Sequence, residues 1–307
     1  MDIIRAVNLV REFDGFRAVD EISFQVEKGE IFGLLGPNGA GKTTTIRMLT
    51  GVLKPTRGRA YIGNHDIQES PIRAKQMMGI VPEMANAYID LSAMNNLLLM
   101  GELYGVGRDQ RKRKAETLLK DFQLYDRRDD KVKTFSKGMK QRVILGMALM
   151  NDADILFLDE PTGGLDVEST RLIRYIIRQY NQSGTTIFLT THNIEEANML
   201  CDRTAIMNYG RIVAVDRPEK LKNTIQSTSS VEIAFHKAVN EDDLHFEGVS
   251  SMEKAGDKYR LFCKQVEKIL PKLVRYAEET DNEILSLRTL GPSLEDVFVK
   301  LTEENPA

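Results

Sequence analysis

The stretch "IFGLLGPNGAGKT", Ile31 to Thr43, constrains the fold more than any other part of the chain. Its opening, "IFGLLG", has the short, unbroken apolar character of a strand buried on both faces, as found in parallel sheets. Gly36 to Thr43 then fits G-x-x-x-x-G-K-[ST] in full, with Pro37, Asn38, Gly39 and Ala40 between the outer glycines Gly36 and Gly41. The run "KTTTIRMLTGVL" that follows is helical in pattern and closes at Gly51 and Pro55. A strand, a glycine-rich turn and a helix in that order make a phosphate cradle. The glycines let backbone N–H groups turn inward, and the helix N-terminus adds the positive end of its dipole. There Lys42 would place a point charge on β- and γ-phosphates, and Thr43 would offer a hydroxyl to magnesium.

A second motif supplies the chemistry that such a cradle needs. In "ILFLDE" four apolar residues precede Asp159 and Glu160. A buried strand would deliver both carboxylates to the carboxyl edge of the sheet, where ligands collect in open α/β folds. Asp159 is expected to hold Mg2+ or its water, and Glu160 to orient or deprotonate an attacking water.

The 307 residues suffice for roughly two domains. Net charge is −3, so the charge balance gives no footprint of a nucleic-acid partner. Two widely spaced cysteines make neither a disulfide framework nor a zinc site, and the four histidines form no metal-spaced cluster. No apolar run approaches the ~20 residues that span a bilayer, and the N-terminus has no secretory pattern. A cytoplasmic chain is the expectation, with any membrane span supplied by another chain.

Strand patterns around Asp14-Gly15 suggest a hairpin. Residues from about 84 to 140 read as a helical insertion, after which strands and helices alternate as in a mostly parallel sheet. Past about residue 223 a small α+β domain is expected, giving 1–222 and 223–307 as domains. In it "VEKILPKLVRYAEE" reads as a helix entered near Pro271, and Ser293 and Asp296 have capping-box spacing.

"GPNGAGKTTT", "SKGMKQR", "LDEPTGGLD" and "TTHNIEEA" stand in the order and approximate spacing of the ATP-binding cassette (ABC) proteins, which the chain resembles from Met1 to about Lys220. The resemblance implies an α/β P-loop NTPase core with an antiparallel β subdomain and an inserted helical subdomain. It also implies ATP and Mg2+ as ligands. Residue by residue, it makes Phe13 the aromatic that stacks on adenine, with Phe16 as its rival, and Thr44 a second hydroxyl on the phosphates. His192 would contact the γ-phosphate, and Asp166 would lie in a loop crossing between two subunits. Ser136 and Gly138 would cap the nucleotide held by the other subunit. Two positions depart from the family pattern. Glu83 stands where glutamine is frequent, keeping an oxygen for metal or water but losing the amide donors. "FSKGM" replaces Leu-Ser-Gly-Gly-Gln, so Lys137 faces either solvent or phosphate.

One motif set per chain implies a homodimer, or pairing with a similar ATPase. The C-terminal "SLRTLGPSLEDVFVKLTEE" resembles the end of cassette ATPases from drug, ion or polysaccharide exporters, whose permease is a separate transmembrane chain. Membrane contact is then expected only through that permease, at the cytoplasmic face. The groove around Glu83, with the methionine-rich "MANAYIDLSAMNNLLLM" beside it, would receive the permease. The alternative is a soluble cassette ATPase with no membrane partner. Such proteins usually carry tandem motif sets or long coiled-coil insertions, and the chain has neither.

Overall fold

The computed structural model describes residues 1–84, 87–224, 229–263, 265–291 and 293–304. Two compact units emerge, Met1–Arg217 and Pro218–Glu304.

The first unit opens with the hairpin β1 (Asp2–Phe13) and β2 (Phe16–Glu27), turning through Asp14 and Gly15, both at positive φ. The buried strand β3 (Ile31–Leu35) leads through the glycine-rich turn into α1 (Lys42–Leu49). β4 (Arg57–Ile62) and β5 (His65–Asp66) complete a four-stranded antiparallel sheet of order β2-β1-β4-β5. After α2 (Pro71–Gln76) and β6 (Met78–Val81) come three helices, α3 (Ala93–Leu103), α4 (Arg108–Asp121) and α5 (Lys137–Ala148). Ser92 caps α3 and Ser136 caps α5, each hydroxyl accepting a backbone N–H three residues on.

The chain then returns to the core through β7 (Ile155–Asp159), α6 (Val167–Gln182), β8 (Thr186–Thr191), α7 (Ile194–Leu200), β9 (Arg203–Asn208) and β10 (Arg211–Asp216). The main sheet has order β10-β9-β3-β8-β7-β6. It is parallel from β9 to β6, with β10 antiparallel at one edge. Every residue of β3, β7 and β8 is buried, which explains why these strands read as apolar runs rather than alternating ones. Phe24 of β2 stacks on Phe32 of β3, which stacks on Phe188 of β8, with ring centroids 5.4 and 5.7 Å apart. These rings join the antiparallel sheet to the main sheet in one core. Both sheets therefore brace the turn between β3 and α1.

The second unit holds α8 (Pro218–Thr224), β11 (Ser229–Phe235), β12 (Val249–Ala255), β13 (Lys258–Cys263), α9 (Val266–Glu279), β14 (Ile284–Leu290) and α10 (Leu294–Glu304). Its sheet is antiparallel, of order β12-β13-β11-β14. Val231, Ile233, Tyr259 and Leu261 pack with Ile269 and Leu273 of α9 in a core of their own. The expected helix entry near Pro271 is corrected: α9 starts five residues earlier and runs through the proline. Pro271 is exposed, opposite the buried Ile269 and Leu273, so its ring stays off the packed face of the helix. At α10 the capping box is reciprocal. Ser293 N–H donates to Asp296 Oδ2 at 2.7 Å, and Ser293 Oγ accepts from Asp296 N–H at 3.1 Å.

Candidate functional site

The turn between β3 and α1 is possible only with glycine at its ends. Gly39 and Gly41 have φ of +83° and +105°. A Cβ on Gly36 would strike the Met207 carbonyl, and one on Gly41 the Ala18 carbonyl. Lys42 folds back over this turn. Its buried Nζ donates to the Gly36 carbonyl at 2.8 Å and the Pro37 carbonyl at 3.1 Å. The ammonium is thus held over the loop rather than left in solvent.

β7 delivers the acidic pair to the same place. Asp159, 2 % exposed, accepts from Thr190 Oγ1 at 2.5 Å and from Thr43 Oγ1 at 3.3 Å. A hydroxyl and a carboxylate therefore meet at the start of α1. Both are hard oxygen donors, the type Mg2+ selects, and Mg2+ needs few protein ligands because it retains waters. Glu160 has φ +50°, a left-handed conformation that costs a non-glycine residue energy. Its N–H is held by both the Thr190 carbonyl, at 3.2 Å, and the Thr190 hydroxyl, at 3.1 Å. Its Oε2 lies 2.8 Å from His192 Nδ1. Its Oε1 is buried, lies 3.4 Å from Lys42 Nζ and has no hydrogen-bond partner.

These groups surround a cleft of about 810 Å³. Of the residues singled out in the sequence, Phe13, Phe16, Asn38, Gly39, Gly41, Lys42, Thr43, Thr44, Glu83, Lys137, Glu160 and His192 line it. Asp159 sits behind Thr43, and Gly36, Pro37 and Ala40 form the turn beneath. Phe13 and Phe16 are paired across the first hairpin and are 41 % and 66 % exposed, so each presents ring surface that a flat ligand could meet. Arg11 stacks on Phe13 with its guanidinium carbon 4.3 Å from the ring centre.

Ser136, Gly138 and Asp166 are not among the residues lining this cleft. Ser136 caps α5, and Asp166 caps α6 by accepting the Ser169 N–H at 2.7 Å. That hydrogen bond holds the Asp166 carboxyl below the usual range. Gly138 packs so closely on Ser169 that a Cβ there would strike its side chain.

Beside Glu83, Met84 is 89 % exposed and Tyr88 and Ile89 about half exposed, while Leu97 is fully buried. The methionine-rich segment therefore contributes both to the subunit core and to the surface. Residues 85 and 86 of it lie outside the described residues. In the basic run at the start of α4, Arg111 pairs with Glu102 and Lys114 with Asp152.

Three functional features escape a reading of the sequence. Thr190 grips both acidic residues. Thr162 donates to the buried Glu196 Oε1 at 2.6 Å, with Arg174 Nε 3.5 Å from the same oxygen. Lys137 is exposed and lines the same cleft, but its ammonium is engaged by backbone. It donates to the carbonyls of Gly163 and Gly164 in its own chain. The double threonine before His192 was the available signal for the first; the others join residues far apart in sequence.

The sequence profile of the ABC transporter family matches residues 19–163. The linearmycin resistance ATP-binding protein of Bacillus subtilis is 34 % identical, with 98 % of each chain covered. The chain belongs to the ABC transporter ATP-binding proteins. A Nod factor export ATP-binding protein I of Paraburkholderia xenovorans is 37 % identical over 92 % of this chain and 91 % of its own. The daunorubicin/doxorubicin resistance ATP-binding protein of Streptomyces peucetius is 34 % identical over 97 % and 92 %. Among solved structures, an ATP-binding subunit of an ABC transporter superposes with a TM-score of 0.67 at 28 % identity, covering 72 % of this chain and 92 % of that one. Nucleotide binding and ATP hydrolysis are general to the cassette family, and the P-loop core carries both. No helix among the described residues is long and apolar enough to cross a membrane.

Proposed function

We propose that this cassette hydrolyses Mg–ATP as the motor subunit of an exporter. It would act as a head-to-tail pair, with a second copy or a similar ATPase, on the cytoplasmic face of a membrane spanned by a separate permease. The names of the curated relatives, resistance and export proteins, favour export over the alternative of a cassette ATPase without a membrane partner.

The observation that carries the reading is the Glu160 carboxylate. One oxygen is tied to His192 while the other, buried and without a hydrogen bond, is ion-paired with Lys42, at the cleft wall. A general base needs a carboxylate held in a fixed direction, and His192 and Lys42 hold that of Glu160 from its two sides. Lys42 and the turn amides bind the β- and γ-phosphates, Thr44 adds a hydroxyl, and Phe13 or Phe16 stacks on adenine. Thr43 and Asp159 are the residues that would hold Mg2+, with Glu83, which also lines the cleft, as a further oxygen donor. The ion supplies charge neutralisation at the phosphates. Glu160 takes a proton from the attacking water, and His192 orients the carboxylate and reaches the γ-phosphate.

Ser136, Gly138 and Asp166 do not line this cleft and would complete the partner's. ATP then favours the closed pair because its γ-phosphate meets both chains only there. Exposed Met84, Tyr88 and Ile89 beside Glu83 suit an apolar helix of the permease.

The test is Glu160→Gln. Turnover should fall by a factor on the order of 10²–10⁴, the typical contribution of a general base, with ATP binding retained. Light scattering should then show ATP-dependent dimers that Ser136→Arg abolishes. Undiminished hydrolysis in Glu160→Gln would overturn the assignment of the base. Dimers that survive Ser136→Arg would remove Ser136 from the interface.

A further inference from the structure

Lys137 is the first residue of α5, and no acidic residue occupies that first turn. A cation there meets the positive pole of the helix dipole, an unfavourable place. The side chain escapes by reaching away from its helix. Nζ donates to the Gly163 carbonyl at 2.8 Å and the Gly164 carbonyl at 3.2 Å. Both carbonyls belong to the loop that begins at Glu160 and ends at the Asp166 cap of α6.

That loop is built of consecutive turns. Gly163 N–H donates back to the Glu160 carbonyl at 3.1 Å, and Leu165 N–H to the Thr162 carbonyl at 3.2 Å. Thr162 anchors one side of it to Glu196 of α7. Lys137 anchors the other side to α5. Glycine at 137, as in the common Leu-Ser-Gly-Gly-Gln signature, has no side chain with which to make this bond.

We infer that Lys137 is a positioning residue for Glu160, holding through the Gly163 and Gly164 carbonyls the loop that sets how Glu160 enters the cleft. The inference rests on Glu160 being the base. Glu160 occupies a left-handed conformation, which persists only where its surroundings over-determine it. An ammonium on two carbonyls is a charge-assisted clamp, stronger than a neutral hydrogen bond. The ammonium is engaged by backbone at the wall of the nucleotide cleft, so its loss is read in the loop's hydrogen exchange as well as in turnover.

The experiment compares the full-length wild-type chain with Lys137→Met, which keeps length without charge, and Lys137→Arg, which keeps the charge. Steady-state hydrolysis gives kcat and KM for ATP. Hydrogen exchange of the nucleotide-free proteins follows the Gly163 and Leu165 amides. Lys137→Met should lower kcat roughly tenfold, the effect of losing one hydrogen bond to a charged group. Its Gly163 and Leu165 amides should exchange faster, and Lys137→Arg should recover most of both effects. Unchanged exchange at Gly163 and Leu165 in Lys137→Met overturns the inference, whatever the activity. So does a kcat equal to wild type, or an arginine variant no better than methionine. A wild-type chain that fails to hydrolyse ATP would strike the proposed function instead, and the exchange comparison still decides whether Lys137 holds the loop.

Discussion

Thr190 offers a sharp test of how the acidic strand end is held. Its hydroxyl is fully buried, donates to Asp159 Oδ1 at 2.5 Å and accepts from Glu160 N–H at 3.1 Å. Thr190→Val keeps the shape and removes the hydroxyl. The Glu160 N–H retains the Thr190 carbonyl at 3.2 Å, so the main loss is the bond to the Asp159 carboxylate. A hydrogen bond to a charged group contributes about 1.5–3 kcal/mol. In a unit of this size each kcal/mol moves the melting temperature by about 2–4 °C, so a drop of roughly 3–12 °C is expected. Thr190→Ser loses only a methyl group, about 1 kcal/mol, and keeps the grip. Asp159 freed from Thr190 retains only the longer Thr43 contact, so the Mg2+ concentration for half-maximal hydrolysis should rise in the valine variant and not in the serine variant. Thermal unfolding without nucleotide and a Mg2+ titration of ATPase activity read the two effects. If Thr190→Val melts with Thr190→Ser and shows the wild-type Mg2+ requirement, Thr190 does not orient Asp159.

Asp166 predicts a pH effect. Its folded pKa lies below the unfolded value, chiefly through the Ser169 N–H, so its stabilising contribution is present above the unfolded pKa and is lost as pH falls through the folded one. Asp166→Asn keeps a capping side chain but does not titrate. Urea unfolding between neutral and acid pH should therefore show a flatter acid limb than wild type; identical limbs would exclude the linkage. In the second unit, Ser293→Ala breaks the reciprocal cap and should cost about 0.5–2 kcal/mol, seen as faster hydrogen exchange in the first turn of α10. Unaltered exchange there would mean that packing of Leu294 and Val297, not the cap, holds that end.

The parts of the fold that sequence alone discloses are those decided locally. Gly36 to Thr43 prescribes its turn because Gly39 and Gly41 meet a local need, a positive φ that other residues rarely adopt, although Gly36 and Gly41 also make room for carbonyls distant in sequence. β3, β7 and β8 announce themselves because both faces are covered. β12 goes unread for the opposite reason: "VSSMEKA" has no buried residue and only Val249 and Met252 partly covered, so no alternation betrays it. α8 is equally quiet, since Pro218 and Leu221 are the only buried positions among its described side chains. The Pro271 discrepancy arises because a proline on a solvated helix face costs less than one against a core. At the site, identities of Lys42, Asp159, Glu160 and His192 follow from motifs. Their supports do not, because Thr190, Glu196 and Lys137 reach partners 26 to 34 residues away. A sequence displays such residues but not their meeting.

The left-handed backbone at Glu160 sets two selective pressures against each other at one codon. Glycine would relieve the conformational strain there, and asparagine tolerates that region better than most side chains. Neither provides a carboxylate. A library of variants sorted for thermal resistance would thus drift toward relaxed residues at position 160, while one sorted for ATP turnover would hold the glutamate. Stabilised versions of this cassette obtained by the first route should be expected to bind nucleotide and stall.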